Sequence, residues 1–258
     1  MVFYHNIEPV LLKLGPLEIR WYGIMYLLSF LFVYWYAKKS AKEGKLKLTE
    51  EQIDNVMLWL TIALITGARL FDVIFWDSST FVQQPLKIFA IWEGGLSFHG
   101  GLSGMIIAGY LLCKKYRIKL LQFADVFAVP LALGQVFGRI GNFINGELYG
   151  GPTTLPWGIN FANEISNAGT AVFRHPAQLY EAVYDIIIFA TLWKLKDKNL
   201  PQGTLLAIFL IMYSIFRTLT EFIRIETATI GPLTMGQALN IPMFITGIWI
   251  LARQKKSS

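Results

Sequence analysis

The chain has 258 residues; 54% are drawn from Ala, Val, Ile, Leu, Met, Phe, Trp, Tyr and Cys, and only 16% are charged. So apolar a composition excludes a disordered chain and argues against a soluble globular domain, in which about 25% of residues are charged. The net charge is +6, and the single cysteine, Cys113, excludes an intramolecular disulfide and any Cys-rich metal site, while His5, His99 and His175 leave little material for a zinc centre.

Residues 1–20 contain His5, Glu8, Pro9, Gly15, Pro16 and Glu18, and lack the basic start, apolar core and small-residue cleavage site of a signal peptide. Segment Ile7–Ile19 reads as lying along the outer membrane interface. Seven apolar stretches follow, at about Trp21–Ala37, Asn55–Phe75, Gly94–Cys113, Leu121–Arg139, Ala177–Trp193, Gly203–Phe222 and Met235–Ala252. Each is near the roughly 17–25 residues that cross about 30 Å of hydrocarbon. The pattern predicts one membrane-embedded, all-α domain over residues 1–258 with seven transmembrane helices. The longest polar insertion, about Asn145–Pro176, is broken by Gly150, Gly151, Pro152, Pro156 and Gly158, and predicts a small external cap. There is no internal repeat, low-complexity tract or domain linker.

Basic residues alternate in placement. Lys38, Lys39, Lys42, Lys45 and Lys47, then Lys114, Lys115, Arg117 and Lys119, then Lys194, Lys196 and Lys198, then Arg253, Lys255 and Lys256 fall in every second connection. The positive-inside rule then puts the N-terminus outside and the C-terminus in the cytoplasm. The positive charge is thus a topology signal, with no basic stripe that would suit nucleic acid. Trp21 and Tyr22 open the first span and Tyr34, Trp35 and Tyr36 close it, as aromatic residues at the two interfaces do.

An ionisable side chain within a span is costly unless paired or wet, so each is a candidate for function. In this topology Arg69, Asp72, His99, Arg139, Glu181, Asp185, Arg217, Glu221 and Arg224 all lie in the outer portion of their spans, and Asp125 alone lies near an inner end. Charges from five spans at one depth point to an outward-facing polar cavity. The cations there are arginines, whose forked guanidinium binds phosphate or carboxylate bidentately. Arg69–Asp72 and Arg217–Glu221 are also spaced i, i+3 and i, i+4, as intrahelical pairs that neutralise each other would be. Tyr213, Arg217, Glu221 and Arg224 share one helical face. Arg139 has no carboxylate three or four residues away, which favours an exogenous anion. A lone histidine in an apolar stretch is more often a hydrogen-bonded core residue than a catalyst. His99, however, is flanked by glycines in Gly94–Gly104 and is the group there suited to moving a proton near neutrality. Gly100/Gly104 and Gly134/Gly138 also have the small-xxx-small spacing of close helix packing in lipid.

From Gly138 to Gly150 the chain reads G-R-I-G-N-F-I-N-G-E-L-Y-G, which predicts that the fourth span breaks into a polar turn. With Trp21-Tyr22-Gly23, Gly67-Ala68-Arg69, Ser97-Phe98-His99-Gly100-Gly101, Arg174-His175-Pro176, Gln178-Leu179-Tyr180-Glu181, Tyr213 to Glu221 and Met235-Gly236-Gln237, the sequence resembles the bacterial phosphatidylglycerol–prolipoprotein diacylglyceryl transferases along most of its length. The stretch between Gly150 and Arg174 is shorter than in some members, which bears on the size of the cap. The resemblance implies transfer of an sn-1,2-diacylglyceryl group from phosphatidylglycerol to the lipobox cysteine thiol of a prolipoprotein, releasing glycerol 1-phosphate, at the outer side of the bacterial plasma membrane. It implies no cofactor and no metal. It maps catalytic roles to His99, Arg139, Arg217 and Tyr213, and substrate binding to Arg139, Asn142, Gly100, Glu147, Gly150, Tyr22, Glu221 and Arg69. Whether His99 takes the thiol proton or organises the site stays open.

Two other classes compete. Gly101-Leu102-Ser103-Gly104 matches the GxSG of rhomboid-type intramembrane proteases, but that dyad needs a histidine on another membrane helix. A non-catalytic lipid carrier or channel would also use outward arginines, without needing the histidine and the Asn-rich turn.

Overall fold

The structure is a computed structural model that describes residues 3–15, 17–75, 78–90, 94–161, 163–225 and 229–255. Pro16 and Lys256 lie outside the described residues, as does the side chain of Lys255. Seven helices of 18 to 26 residues dominate: α1 (Trp21–Lys42), α2 (Glu50–Phe75), α4 (Phe98–Tyr116), α5 (Leu120–Asn145), α6 (Ala177–Leu195), α7 (Thr204–Glu221) and α8 (Met235–Lys255). A short α3 (Ser78–Gln83) and a 3-10 turn (Pro85–Phe89) connect α2 to α4. By length and composition α2, α5, α7 and α8 are apolar enough to cross a membrane. The other three carry more Tyr, Trp, Gly or ionisable residues, so their apolar character is diluted. The all-α expectation holds apart from three two-stranded ladders. These are β1 (Phe3–Tyr4) with β4 (Ile159–Asn160), β2 (Val10–Leu14) with β3 (Leu17–Arg20), and β5 (Thr229–Ile230) with β6 (Leu233–Thr234). Segment Ile7–Ile19 is therefore mostly hairpin, with Glu18 paired to Lys13 at 3.1 Å and to Arg20 at 2.9 Å.

The chain forms two compact units, residues 37–123 and residues 1–36 with 124–258. In the 37–123 unit, α2 and α4 pack along each other because glycines let their backbones meet. A Cβ at Gly100 would overlap the Gly67 carbonyl and Phe71, and one at Gly104 would overlap the Ala63 carbonyl. Gly134 and Gly138, in α5, do not behave this way. Gly134 has ordinary room beside Ser29 at 3.6 Å, and Gly138 has nothing within 4 Å.

α1 and α2 run five residues further than expected toward their shared connection, to Lys42 and from Glu50, and two other helix ends differ near the candidate residues. The third span was expected from Gly94, but α4 starts at Phe98 because Gly94 and Gly95 take positive φ of 91° and 71°. The fourth was expected to break at Arg139, but α5 continues to Asn145 and turns at Gly146, φ 66°. Arg139 is therefore well inside a helix.

In the larger unit, Asp125 of α5 accepts N–H bonds from Gly203 at 2.6 Å and Leu206 at 2.8 Å. It satisfies donors that the first turn of α7 leaves open, which accounts for a carboxylate far from the other charges. The 145–176 segment is tied down by the chain's start. Phe3 and Tyr4 pair with Ile159 and Asn160, and His5 Nε2 donates to the Phe143 carbonyl at 2.7 Å. Within the segment, Tyr149 stacks on the fully buried Phe161 with centroids 4.7 Å apart, and Arg174 lies over Tyr149.

Arg174 also holds Glu164 through two bonds, at 2.5 and 2.6 Å, and this guanidinium keeps the Glu164 carboxyl below its ordinary range. A depressed folded-state value means that the pair stabilises above the unfolded carboxyl's titration and is lost as pH falls through the folded one. Glu164→Gln is expected to lower the thermal midpoint slightly near neutral pH, since the pair is partly exposed. The difference from wild type should vanish in acid, which melting curves of both proteins across pH would show.

Candidate active site

Four elements of the larger unit bring a charge cluster together. Proline at 176 precedes α6, whose first three turns carry Glu181 and Asp185, both with no exposed surface. Glu181 Oε2 pairs with Arg139 Nε of α5 at 2.9 Å, and Oε1 lies 3.2 Å from Arg224 Nη1 and 3.5 Å from Arg217 Nη1. Arg217 Nη1 also meets Glu221 Oε1 at 2.6 Å, and Arg224 Nε lies 3.8 Å from the same oxygen. Burying so many charges costs heavily unless they are mutually paired. Three guanidinium groups, those of Arg139, Arg217 and Arg224, face the two carboxylates that pair with them, Glu181 and Glu221. The two Nη nitrogens of Arg139 make no hydrogen bond with the described residues. That geometry suits a phosphate ester: a fork ion-paired through Nε, with outer donors that make no hydrogen bond with the described residues.

The surrounding backbone fixes the arginines. Gly150 donates its N–H to the His175 carbonyl at 2.8 Å, and Gly151 donates to Ile223 at 2.7 Å, so the start of the 150–176 loop holds the segment bearing Arg224. A Cβ at Gly150 would strike the Ile223 carbonyl and His175, so Gly150 acts through close backbone approach. Glu147 closes the end of α5: its carboxylate accepts from Asn142 at 2.9 Å and Asn145 at 3.2 Å, and its carbonyl accepts from Gln178. Tyr22 packs its ring where a Cβ on Gly141 would stand and bonds Tyr26 hydroxyl to hydroxyl at 3.2 Å. Tyr213 stacks on Phe209 at 5.8 Å and meets Tyr184 edge-on at 6.1 Å.

Arg69 and His99 belong to the 37–123 unit. Arg69 is almost fully engaged, donating to the carbonyls of Lys87, Ile88, Gly94 and Gly95, with Asp72 at 3.8 Å. It clamps the connection before α4, and that use leaves little of its fork for a substrate. Gly100 serves the α2–α4 contact. His99, in the first turn of α4, is exposed, beside Phe71 and Phe98, and its ring makes no hydrogen bond with the described residues. Ser103 lies one turn further along the same helix.

Arg139 has no carboxylate partner within its own helix, as its spacing indicates; its partner, Glu181, is on another helix. Glu181 and Arg224 are among the outer charges that the sequence offers as candidates, but it assigns neither a role in the site, and the structure makes Glu181 the hub of three guanidinium groups. Asp185 was visible too; both its oxygens and the Tyr184 hydroxyl are buried without hydrogen-bond partners among the described residues.

A family model described as prolipoprotein diacylglyceryl transferase matches residues 9–253. The chain belongs to the prolipoprotein diacylglyceryl transferase family. It is 40% identical over 261 residues to the phosphatidylglycerol–prolipoprotein diacylglyceryl transferase of Nitratidesulfovibrio vulgaris strain Miyazaki F, covering 99% of this chain and 97% of that protein. It is 43% identical to the protein of that name in Geobacter sulfurreducens, covering 95% and 94%. With its namesake in Legionella pneumophila strain Paris it shares 39%, covering 97% and 98%. The match of this diacylglyceryl transferase family member to its relatives thus spans both units and the arginine cluster.

Proposed function

We propose that this chain transfers the sn-1,2-diacylglyceryl group of phosphatidylglycerol to the lipobox cysteine thiol of a prolipoprotein. The observation that carries the reading is the fork of Arg139, set by buried Glu181 beside Arg217 and Arg224. Attack by sulfur on the glyceryl carbon forms the C–S bond and breaks the C–O bond to phosphate. The leaving glycerol 1-phosphate gathers negative charge, and preoriented guanidinium donors stabilise it. A thiol with a pKa of about 8.5 needs a base, and His99, whose ring makes no hydrogen bond with the described residues, manages that proton. Tyr213 lines the cluster beside Arg217. Asn142, Glu147, Gly150 and Tyr22 hold the end of α5 and the loop around it, while Arg69 and Gly100 set the backbone that presents His99.

The setting we propose is the bacterial plasma membrane, with all seven long helices crossing, the N-terminus outside, the C-terminus cytoplasmic and the site toward the outer leaflet. The alternation of basic connections supports it, and lipid and signal peptide are then both at hand.

Incubating the reconstituted protein with phosphatidylglycerol and a lipobox peptide tests the function. The expected product is the peptide heavier by one diacylglyceryl group; a cleaved peptide would indicate a protease, and an unchanged one a carrier. Cys113 is buried near the inner end of α4 and takes no part. Cys113→Ser is expected to retain transfer, measured as thioether formed per minute. A folded but inactive Cys113→Ser would demand an enzyme-bound diacylglyceryl thioether instead.

A further inference from the structure

Gly236 stands in the first turn of α8, and the space where any other residue would place its Cβ is filled by the carboxylate of Glu221, with all three carboxyl atoms at or within 3.0 Å of that point. The same carboxylate accepts from the Thr234 hydroxyl at 3.1 Å through Oε2, while Oε1 faces Arg217 at 2.6 Å. Thr234 also caps α8: its hydroxyl accepts the Gln237 N–H at 3.1 Å, and its own N–H donates to the Gln237 side chain at 3.2 Å. Glu221 is buried, at 3% exposure, so its position leaves little freedom. The positive end of the helix dipole favours a carboxylate there.

We propose that Gly236 and Thr234 are positioning residues: the first turn of α8 is the seat of Glu221, and a glycine is required so that the carboxylate can lie against the backbone and hold the Arg217 fork. The inference rests on the phosphate role given to Arg217 above. Packing alone would predict the opposite of what this seat predicts, because alanine is the better helix former where nothing obstructs it. With the seat blocked, Glu221 must swing away, and Arg217 loses the contact that aims it.

The test is a four-protein cycle of wild type, Gly236→Ala, Glu221→Asp and the double variant, in the full chain reconstituted with phosphatidylglycerol. Gly236→Ala is expected to raise the KM for phosphatidylglycerol about tenfold with the KM for the lipobox peptide unchanged. The shorter aspartate makes room for the new methyl, so the double variant should lose less activity than the product of the two single losses. Thermal unfolding of the same four proteins should show the same non-additivity and does not depend on activity. If Gly236→Ala fails to fold, recovery of folded protein in the double variant supports the seat, and its failure to recover contradicts it. Wild-type kinetics in Gly236→Ala, or strictly multiplicative losses, would overturn the inference. A wild-type protein without transferase activity would instead overturn the proposed function, and the unfolding cycle would still decide whether Gly236 seats Glu221.

Discussion

Arg139→Lys is expected to slow diacylglyceryl transfer by about 10²–10³-fold, the loss typical when one preorganised donor to a developing anion is removed. Lysine keeps the charge, so a site that needed only a cation would tolerate it. Arg139 can do two things at once: Nε reaches Glu181 at 2.9 Å, and the two Nη nitrogens make no hydrogen bond with the described residues. A lysine has one ammonium and cannot do both. If it pairs with Glu181 it leaves the phosphate, and if it reaches the phosphate it leaves a buried carboxylate less compensated. The fall should appear in single-turnover rates with the folded fraction unchanged, because Arg217 and Arg224 still face Glu181. A wild-type rate in Arg139→Lys would rule out bidentate binding at this position.

His99→Gln is expected to cost about 10²–10⁴ in rate, the range of a positioned acid–base group, while binding of phosphatidylglycerol persists. Had His99 held the glycine-rich start of α4 through its ring, glutamine would replace those bonds and the loss would be small. The ring makes no hydrogen bond with the described residues, and the turn is organised instead by Arg69 on the carbonyls of Gly94 and Gly95, at 2.8 and 3.1 Å. Rate–pH profiles separate the two roles. Proton transfer predicts an inflection in the wild type that is absent from His99→Gln; an unchanged profile with a near-normal rate would make the residue structural.

The seven long helices were legible because long apolar runs leave a strong signal, although only α2, α5, α7 and α8 among the described residues are apolar enough to cross a membrane. Their ends were not, for local reasons. Gly94 and Gly95 look apolar to any hydropathy count yet adopt positive φ, so the helix waits until Phe98. Asn142 and Asn145 look like a turn yet stay helical, because Glu147 folds back to accept from both. At the site, one-face spacing did gather Tyr213, Arg217 and Glu221 of α7 with Arg224 just beyond. Counting neighbours within one helix missed Glu181 as the partner of Arg139, since that contact spans α5 and α6. It likewise suggested Asp72 as the main partner of Arg69, whereas the closer bonds go to backbone carbonyls 18 to 26 residues downstream. The seat of Glu221 on Gly236 depends on where α8 begins, and no local pattern encodes that.

The central claim is that one thioether forms for each phosphate ester cleaved at the arginine cluster. It is tested most directly by following phosphatidylglycerol by phosphorus NMR while weighing the lipobox peptide in the same reaction. The account predicts glycerol 1-phosphate appearing in a one-to-one ratio with diacylglyceryl-peptide, both slowed together in Arg139→Lys. Peptide modification without glycerol 1-phosphate, or phosphate release that ignores the arginine substitution, would contradict it.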